Sequence, residues 1–320
     1  MDQHDDERTH GDIRELAWEY YADDWELRAG VRKVYWGVTE FQHLVDVINQ
    51  TDGVEDIDGE DKLGQPMINL SLVRDWGIVD VFILPGFRER TFPGEEGRLR
   101  AGVLIDTDNA LYEDSDEESH VDFALRWTHT LGDYDVGVHA FNGTQRDPTF
   151  VAVDDNGNTV LRPFYAQMTQ VGVDLQATIE SWLWKFEAIH RDTDDDDYLA
   201  SQAGLEYTFY GVRGGDADLG VLVEYGWDER GEDGGSSFQN DVSVGARLAL
   251  NDVNSTELLA GFIRDLDYDS LSFQMEASRR FGESWKLSLD ARVFSPDDER
   301  DPLTAFDKDS HLQFTAEYYY

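Results

Sequence analysis

The chain has 320 residues, 68 acidic and 26 basic, which gives a formal charge of −42, and it has no cysteine. The acidic balance excludes nucleic acid as a partner, because phosphate binding needs clustered Lys and Arg. The missing cysteine excludes a disulfide framework and a thiolate metal site.

An apolar run of about 18 residues would signal a transmembrane helix, and none occurs. The N-terminal stretch MDQHDDERTH has no apolar core of a signal peptide, so an exported form is expected to have lost its leader already. Residues 1–12 are polar throughout and read as disordered or loop-like. The organised part runs over 13–320.

Strands are expected from 13–22 and 25–36 around Asp23-Asp24, because side chains alternate between two faces. Trp25, Leu27, Ala29 and Val31 oppose Glu26, Arg28, Gly30 and Arg32, a period of two and not 3.6. Residues 39–64 then break the pattern and read as a long acidic connection. The segments 66–74 and 77–87 form the next hairpin. A second long loop covers 88–119, and strands 122–131 and 134–141 follow it. A third polar loop occupies 143–162 and contains the turn-forming run DDNGN. Further strands are expected at 164–177, 181–191, 198–211, 216–228, 239–250, 256–266, 269–281, 284–295 and 309–320.

The hairpin around 271–293 states the rule most openly. Leu271, Phe273, Met275 and Ala277 alternate with Ser272, Gln274, Glu276 and Ser278. After a turn at Gly282, Trp285, Leu287, Leu289, Ala291 and Val293 alternate with Lys286, Ser288, Asp290 and Arg292. One face is apolar and the other charged. Such a hairpin suits a soluble sandwich with its apolar face inward, or a barrel with its apolar face toward lipid and its charges around a wet lumen.

Three features favour the barrel. Short turns alternate with long acidic loops, and the strands run about 9 to 13 residues, enough to cross a bilayer at a tilt. Aromatic residues also gather at strand ends, as at a membrane interface: Trp25, Tyr35, Trp182, Trp184, Tyr225, Trp227, Trp285, Tyr318 and Tyr320.

The last strand places Leu312, Phe314, Ala316, Tyr318 and the terminal Tyr320 on one face. It resembles the C-terminal strand of Gram-negative outer-membrane β-barrel proteins, which end on an aromatic residue. The resemblance covers 13–320 through alternation and loop rhythm and singles out no subfamily. It implies an all-β fold: a single antiparallel up-and-down transmembrane β-barrel of about 14 to 16 strands, with long loops on one rim and short turns on the other. Its location would be the outer membrane, in contact with lipid and lipopolysaccharide. The segments above number fifteen, whereas bacterial single-chain barrels have an even number. Either a strand that precedes residue 1, the favoured expectation, or one hidden within 96–106 is expected to complete the set.

Lumen-lining candidates come from the polar face of each strand: Arg28, Arg32, Asp80, Asp122, Arg126, Lys185, Glu187, Glu206, Glu224, Arg247, Glu276, Asp290 and Arg292. They either pair across strands and stabilise a wet wall or select solutes by charge. Arg88, Arg90, Arg98 and Arg100 form the dense basic cluster of an acidic chain. Folded inward, their loop would make a constriction; otherwise they pair with Glu89, Glu95 and Glu96. Gly172, Gly204, Gly220 and Gly245 read as small residues that leave a path open.

The acidic runs 106–118 and 192–197 have carboxylates suited to Ca²⁺ or Mg²⁺ but lack the spacing of an EF-hand, so they read as solvated loops and no metal site is assigned. No cofactor is expected. Nor is catalysis: His129 and His139 lie on strands without a serine placed near them, and the G-x-S-x-G elbow is missing. The expectation is a porin-like channel for passive diffusion of small hydrophilic solutes or ions, preferring cations. A plugged structural or surface-binding barrel is the alternative, and a barrel enzyme comes third.

Overall fold

A computed structural model describes residues 5–57, 59–100, 102–234, 236 and 238–320. Among them there is no α-helix, only short 3-10 turns. The strands are β1 (Leu16–Tyr21), β2 (Trp25–Arg32), β3 (Gln65–Arg74), β4 (Gly77–Pro85), β5 (Leu111–Tyr112), β6 (Val121–Leu131), β7 (Tyr134–Thr144), β8 (Thr149–Asp155) and β9 (Asn158–Tyr165). They continue as β10 (Gln167–Ile179), β11 (Trp182–Thr193), β12 (Asp197–Phe209), β13 (Asp218–Asp228), β14 (Asn240–Ala249), β15 (Glu257–Asp265), β16 (Leu271–Phe281), β17 (Trp285–Ser295) and β18 (His311–Tyr318).

Fifteen strands share one hydrogen-bonded order, β1-β2-β3-β4-β6-β7-β10-β11-β12-β13-β14-β15-β16-β17-β18. Along β1 to β7 and along β12 to β18 the neighbours in this order pair antiparallel, which is the up-and-down pattern. The fifteen correspond one for one to the segments expected from alternation. No further strand lies among the described residues of 96–106, where Ile105 forms a lone parallel bridge to Leu161.

One expectation needs correction. The region 143–162 is no plain loop: it folds into the hairpin β8–β9, which with β5 makes a separate three-stranded sheet. Its turn is Asn156-Gly157 between the paired residues Asp155 and Asn158, with φ of 54° and 91°. Positive φ at both central positions is what a two-residue hairpin loop requires, and Asn-Gly supplies it with little strain. Of the two readings of the N-terminal segment, disordered or loop-like, the described residues 5–12 follow the loop-like one, and contacts tie them down. Gly94 donates its backbone N–H to Asp5 at 3.2 Å, Arg8 pairs with Glu55 at 3.3 Å, and Arg88 pairs with Asp12 at 3.1 Å.

The chain forms two compact units. Unit 1 comprises Met1–Val38, His43–Leu175 and Glu187–Leu199; unit 2 comprises Thr39–Gln42, Gln176–Phe186 and Ala200–Tyr320. In unit 1, Trp36, Val45, Val47 and Ile48 of the 33–64 connection are buried, as are Met67, Phe82, Leu84 and Phe141 on the strands. Rings meet in this region, with Trp36 5.7 Å from Phe82 and 5.1 Å from His139. In unit 2, Phe41, Leu222 and Ile263 form a small buried apolar cluster.

Candidate functional site

Burial along the strands is inverted relative to a soluble protein. On β6, Phe123 and Leu125 are 52% and 49% exposed, whereas Asp122 and Arg126 are 0% and 9% exposed. β13 repeats this, with Val221, Val223, Tyr225 and Trp227 exposed and Glu224 and Asp228 buried. Water would favour the reverse, since buried charge without compensation costs several kcal/mol and apolar area gains by leaving water. Strands of this kind suit lipid on their apolar face. Aromatic pairs stand at the short-turn ends: Trp182 with Tyr207 at 4.7 Å and Trp285 with Tyr318 at 5.0 Å. Tyr35 departs from the expected girdle, because its hydroxyl lies 2.8 Å from His43 Nδ1.

In unit 1 the 43–54 segment packs on the polar strand face, and side chains of β11 and of the β7–β8 connection hold residues 38–48 by their backbone. Glu187 accepts the N–H of Val38 at 2.6 Å and of Val45 at 3.3 Å. Arg146 donates from Nε to Ile48 O at 3.2 Å and from Nη1 to Asp122 at 2.8 Å. Asn49 closes the base of the connection by donating to Arg32 O at 2.9 Å and Leu63 O at 2.8 Å. Burial of backbone this far from regular structure needs such partners. Asp46 is buried beside Lys62 at 3.1 Å; burial pushes its carboxyl above the usual range, and the ammonium opposes that shift.

In unit 2 the polar face stays partly accessible over β16, β17 and β18. Glu276 faces Asp290, Gln274 faces Arg292, Asp290 faces Gln313 and Lys286 faces Glu317 across the pairs. Arg292 donates to Gln274 at 3.2 Å and lies 3.8 Å from Glu276, while Lys286 lies 3.9 Å from Glu317. The Lys286–Glu317 contact is wet and worth only about 0.2–1 kcal/mol, whereas Arg292 is itself buried. Acid outweighs base on the sheet. Among the described residues the buried charges of its strands are Asp122, Asp174, Glu187, Glu206, Glu224, Asp228, Asp241 and Asp265 against Arg126, Arg191 and Arg292.

No protein-family model matches this chain, and no curated protein matches it. Among solved structures it is similar to a triple mutant of the porin of Rh. blastica, at 12% identity and a TM-score of 0.44, over 87% of this chain and 82% of that one. It is also similar to a loop-deletion mutant of OmpT, an outer membrane protein of Vibrio cholerae, at 14% identity and a TM-score of 0.31, over 95% of this chain and 89% of that one. The fold is that of an up-and-down transmembrane β-barrel. Inverted burial on up-and-down strands is the observation that decides it.

The thirteen expected wall residues all lie on barrel strands, and none is exposed. Asp122, Arg126, Glu187, Glu206, Glu224 and Arg292 are buried, and Arg28, Arg32, Asp80, Lys185, Arg247, Glu276 and Asp290 are half-buried. Arg28 bonds Glu26 and Ser71, and Arg32 donates to Asn69 at 3.3 Å, which itself donates to Asp80 at 3.2 Å.

The four arginines of 88–100 are not brought together into a constriction. Arg88 donates to Gly64 O at 2.9 Å and pairs with Asp12, Arg90 pairs with Asp147 at 3.1 Å, and Arg98 and Arg100 are exposed. Nearby loop acids supply partners without any need to reach a wall. The segment that packs on the wall is instead 43–54, which sequence reasoning passed over as an acidic connection.

The glycines read as leaving a path open are also filled from neighbouring residues. A Cβ at Gly172 would strike the His139 ring, one at Gly204 would lie 2.6 Å from Glu224 Cγ, one at Gly220 would strike Glu206, and one at Gly245 would lie 3.2 Å from the Phe41 ring. Within the acidic run 106–118, Asp106 pairs with Arg162 at 3.0 Å. Among the described residues no three carboxylates or histidines are placed to hold a metal ion.

Proposed function

We propose that this outer-membrane barrel is a passive channel for small hydrophilic solutes or ions, with a preference for cations. The observation that carries the reading is the partly accessible polar ladder on β16, β17 and β18, backed by apolar side chains turned outward on the same strands. Carboxylates outnumber guanidinium groups among the buried wall charges, so the field along a wetted wall is negative and concentrates cations. The apolar faces are assigned to membrane lipid, with lipopolysaccharide at the outer leaflet. No chemical step is assigned to any residue.

Purified protein in planar bilayers should give discrete conductance steps. In a KCl gradient the reversal potential should report cation preference at low salt, fading as the Debye length falls from about 10 Å at 0.1 M to about 3 Å at 1 M. Anion preference would overturn the charge argument. The burial of 43–54 against unit 1 favours a second reading, a plugged structural barrel. Folded protein without conductance steps would establish that reading in place of the channel.

A further inference from the structure

Residues Thr39–Gln42 belong to unit 2 although the chain on both sides of them belongs to unit 1. They make three separate attachments to the wall. Glu224 on β13, buried in the wall, accepts the backbone N–H of Glu40 at 2.9 Å on Oε1 and that of Phe41 at 3.1 Å on Oε2. Gln202 also donates to Oε2 at 3.1 Å, which fixes the carboxylate in place. The side chain of Glu40 lies between Lys185 Nζ at 3.3 Å and Arg247 Nη2 at 2.6 Å. The third attachment is steric. Gly245 and Gly261 are register partners on β14 and β15 and leave a notch in the wall. The Phe41 ring fills it against Leu222 and Ile263, so that a Cβ at Gly261 would lie 2.8 Å from two ring atoms.

A main-chain clamp, an ion triad and a ring in a two-glycine notch on two consecutive residues, Glu40 and Phe41, exceed what an incidental loop contact provides. We propose that Thr39–Gln42 is a latch, with Phe41 as the positioning residue that seats the tip of the connection on the wall. Its seating narrows the accessible path along the β14–β18 face, and its release widens that path. The effect on conductance rests on the channel reading, whereas the seating does not.

The chain has no cysteine, so Thr39→Cys introduces a unique thiol at a buried position. In folded, detergent-solubilised protein this thiol should react slowly with a bulky maleimide. Adding Phe41→Ala should raise the labelling rate about tenfold or more, since the burial of a phenyl ring no longer opposes local opening. Gly261→Val should do the same by filling the notch, and Glu224→Gln by weakening the clamp. Heat-modifiable migration on gels identifies variants that still fold.

Unchanged labelling in folded Phe41→Ala protein would overturn the latch. In bilayers the Phe41→Ala channel should show larger and flickering steps. Steps identical to those of the unmodified protein, together with faster labelling, would overturn the control of the path. An unmodified protein without steps would remove the channel reading while the labelling still decided the latch.

Discussion

Arg126 donates from Nη2 to Asp174 at 2.9 Å while its guanidinium lies 5.0 Å from the centre of the Trp36 ring. Arg126 is on β6, Asp174 on β10, and both are buried on the polar face. Gly137 on the intervening β7 leaves room for the pair, since a Cβ there would strike both side chains. One contact thus ties two wall strands to the beginning of the 33–64 connection.

Removing one partner of this pair strands a buried charge. Asp174→Asn and Arg126→Met should each lower stability by about 3–5 kcal/mol, and Gly137→Leu should disrupt the same pair sterically. Replacing both partners together with apolar residues should cost much less than the sum of the single changes. Urea unfolding of the protein in detergent micelles, followed by tryptophan fluorescence, measures this. Additive single and double effects would show that the two residues act independently.

The basic cluster in the 88–100 region gives an opposite expectation for transport. Arg88 and Arg90 are engaged by Asp12, Gly64 and Asp147, and Arg98 and Arg100 are exposed. Changing all four to Ser should therefore leave unitary conductance and ion preference nearly unaltered. The N-terminal segment should loosen instead, because Asp12 loses Arg88. Limited proteolysis should cut earlier within residues 5–14 of the variant. A marked rise in conductance would restore these arginines to the path.

The strands were legible in the sequence because a period of two survives whichever face meets water; the hairpin β16–β17 pairs Phe281 with Trp285 across the turn where alternation paused. Two parts were not legible. The β8–β9 hairpin was hidden because its apolar residues run consecutively, Phe150 to Val153 and Val160-Leu161, without the period of two that marks the barrel strands, although its Asn156-Gly157 turn was a hairpin signal in plain view. The packed segment carries no period at all. Phe41, Val45, Val47 and Ile48 sit amid the acidic connection, and this surplus of large apolar residues was the signal to weigh. The glycines were misread because a small residue marks either an opening or a neighbour's side chain, and only contacts across strands distinguish them.

The last expectation concerns pH and lies outside the strands. His43 is packed with Tyr35, Glu60, Asp46 and Glu187 around it; burial lowers its pKa, but Glu60 and the other carboxylates outweigh burial and hold it above the usual histidine value. A folded pKa above the unfolded one means that the protonated ring stabilises the folded state. That contribution is complete below the unfolded value of about 6.5 and disappears as pH rises through the folded value. Asp46 and Asp61, both pushed up by burial, act earlier in the same direction, since stability falls as each loses its proton above about 3.9. Hydrogen exchange of the 43–48 amides, corrected for intrinsic rates, should therefore quicken from pH 6 to pH 9. His43→Gln should flatten that rise while leaving strand amides such as those of β6 and β7 unchanged. An equal rise in the variant would mean that another group loosens the segment.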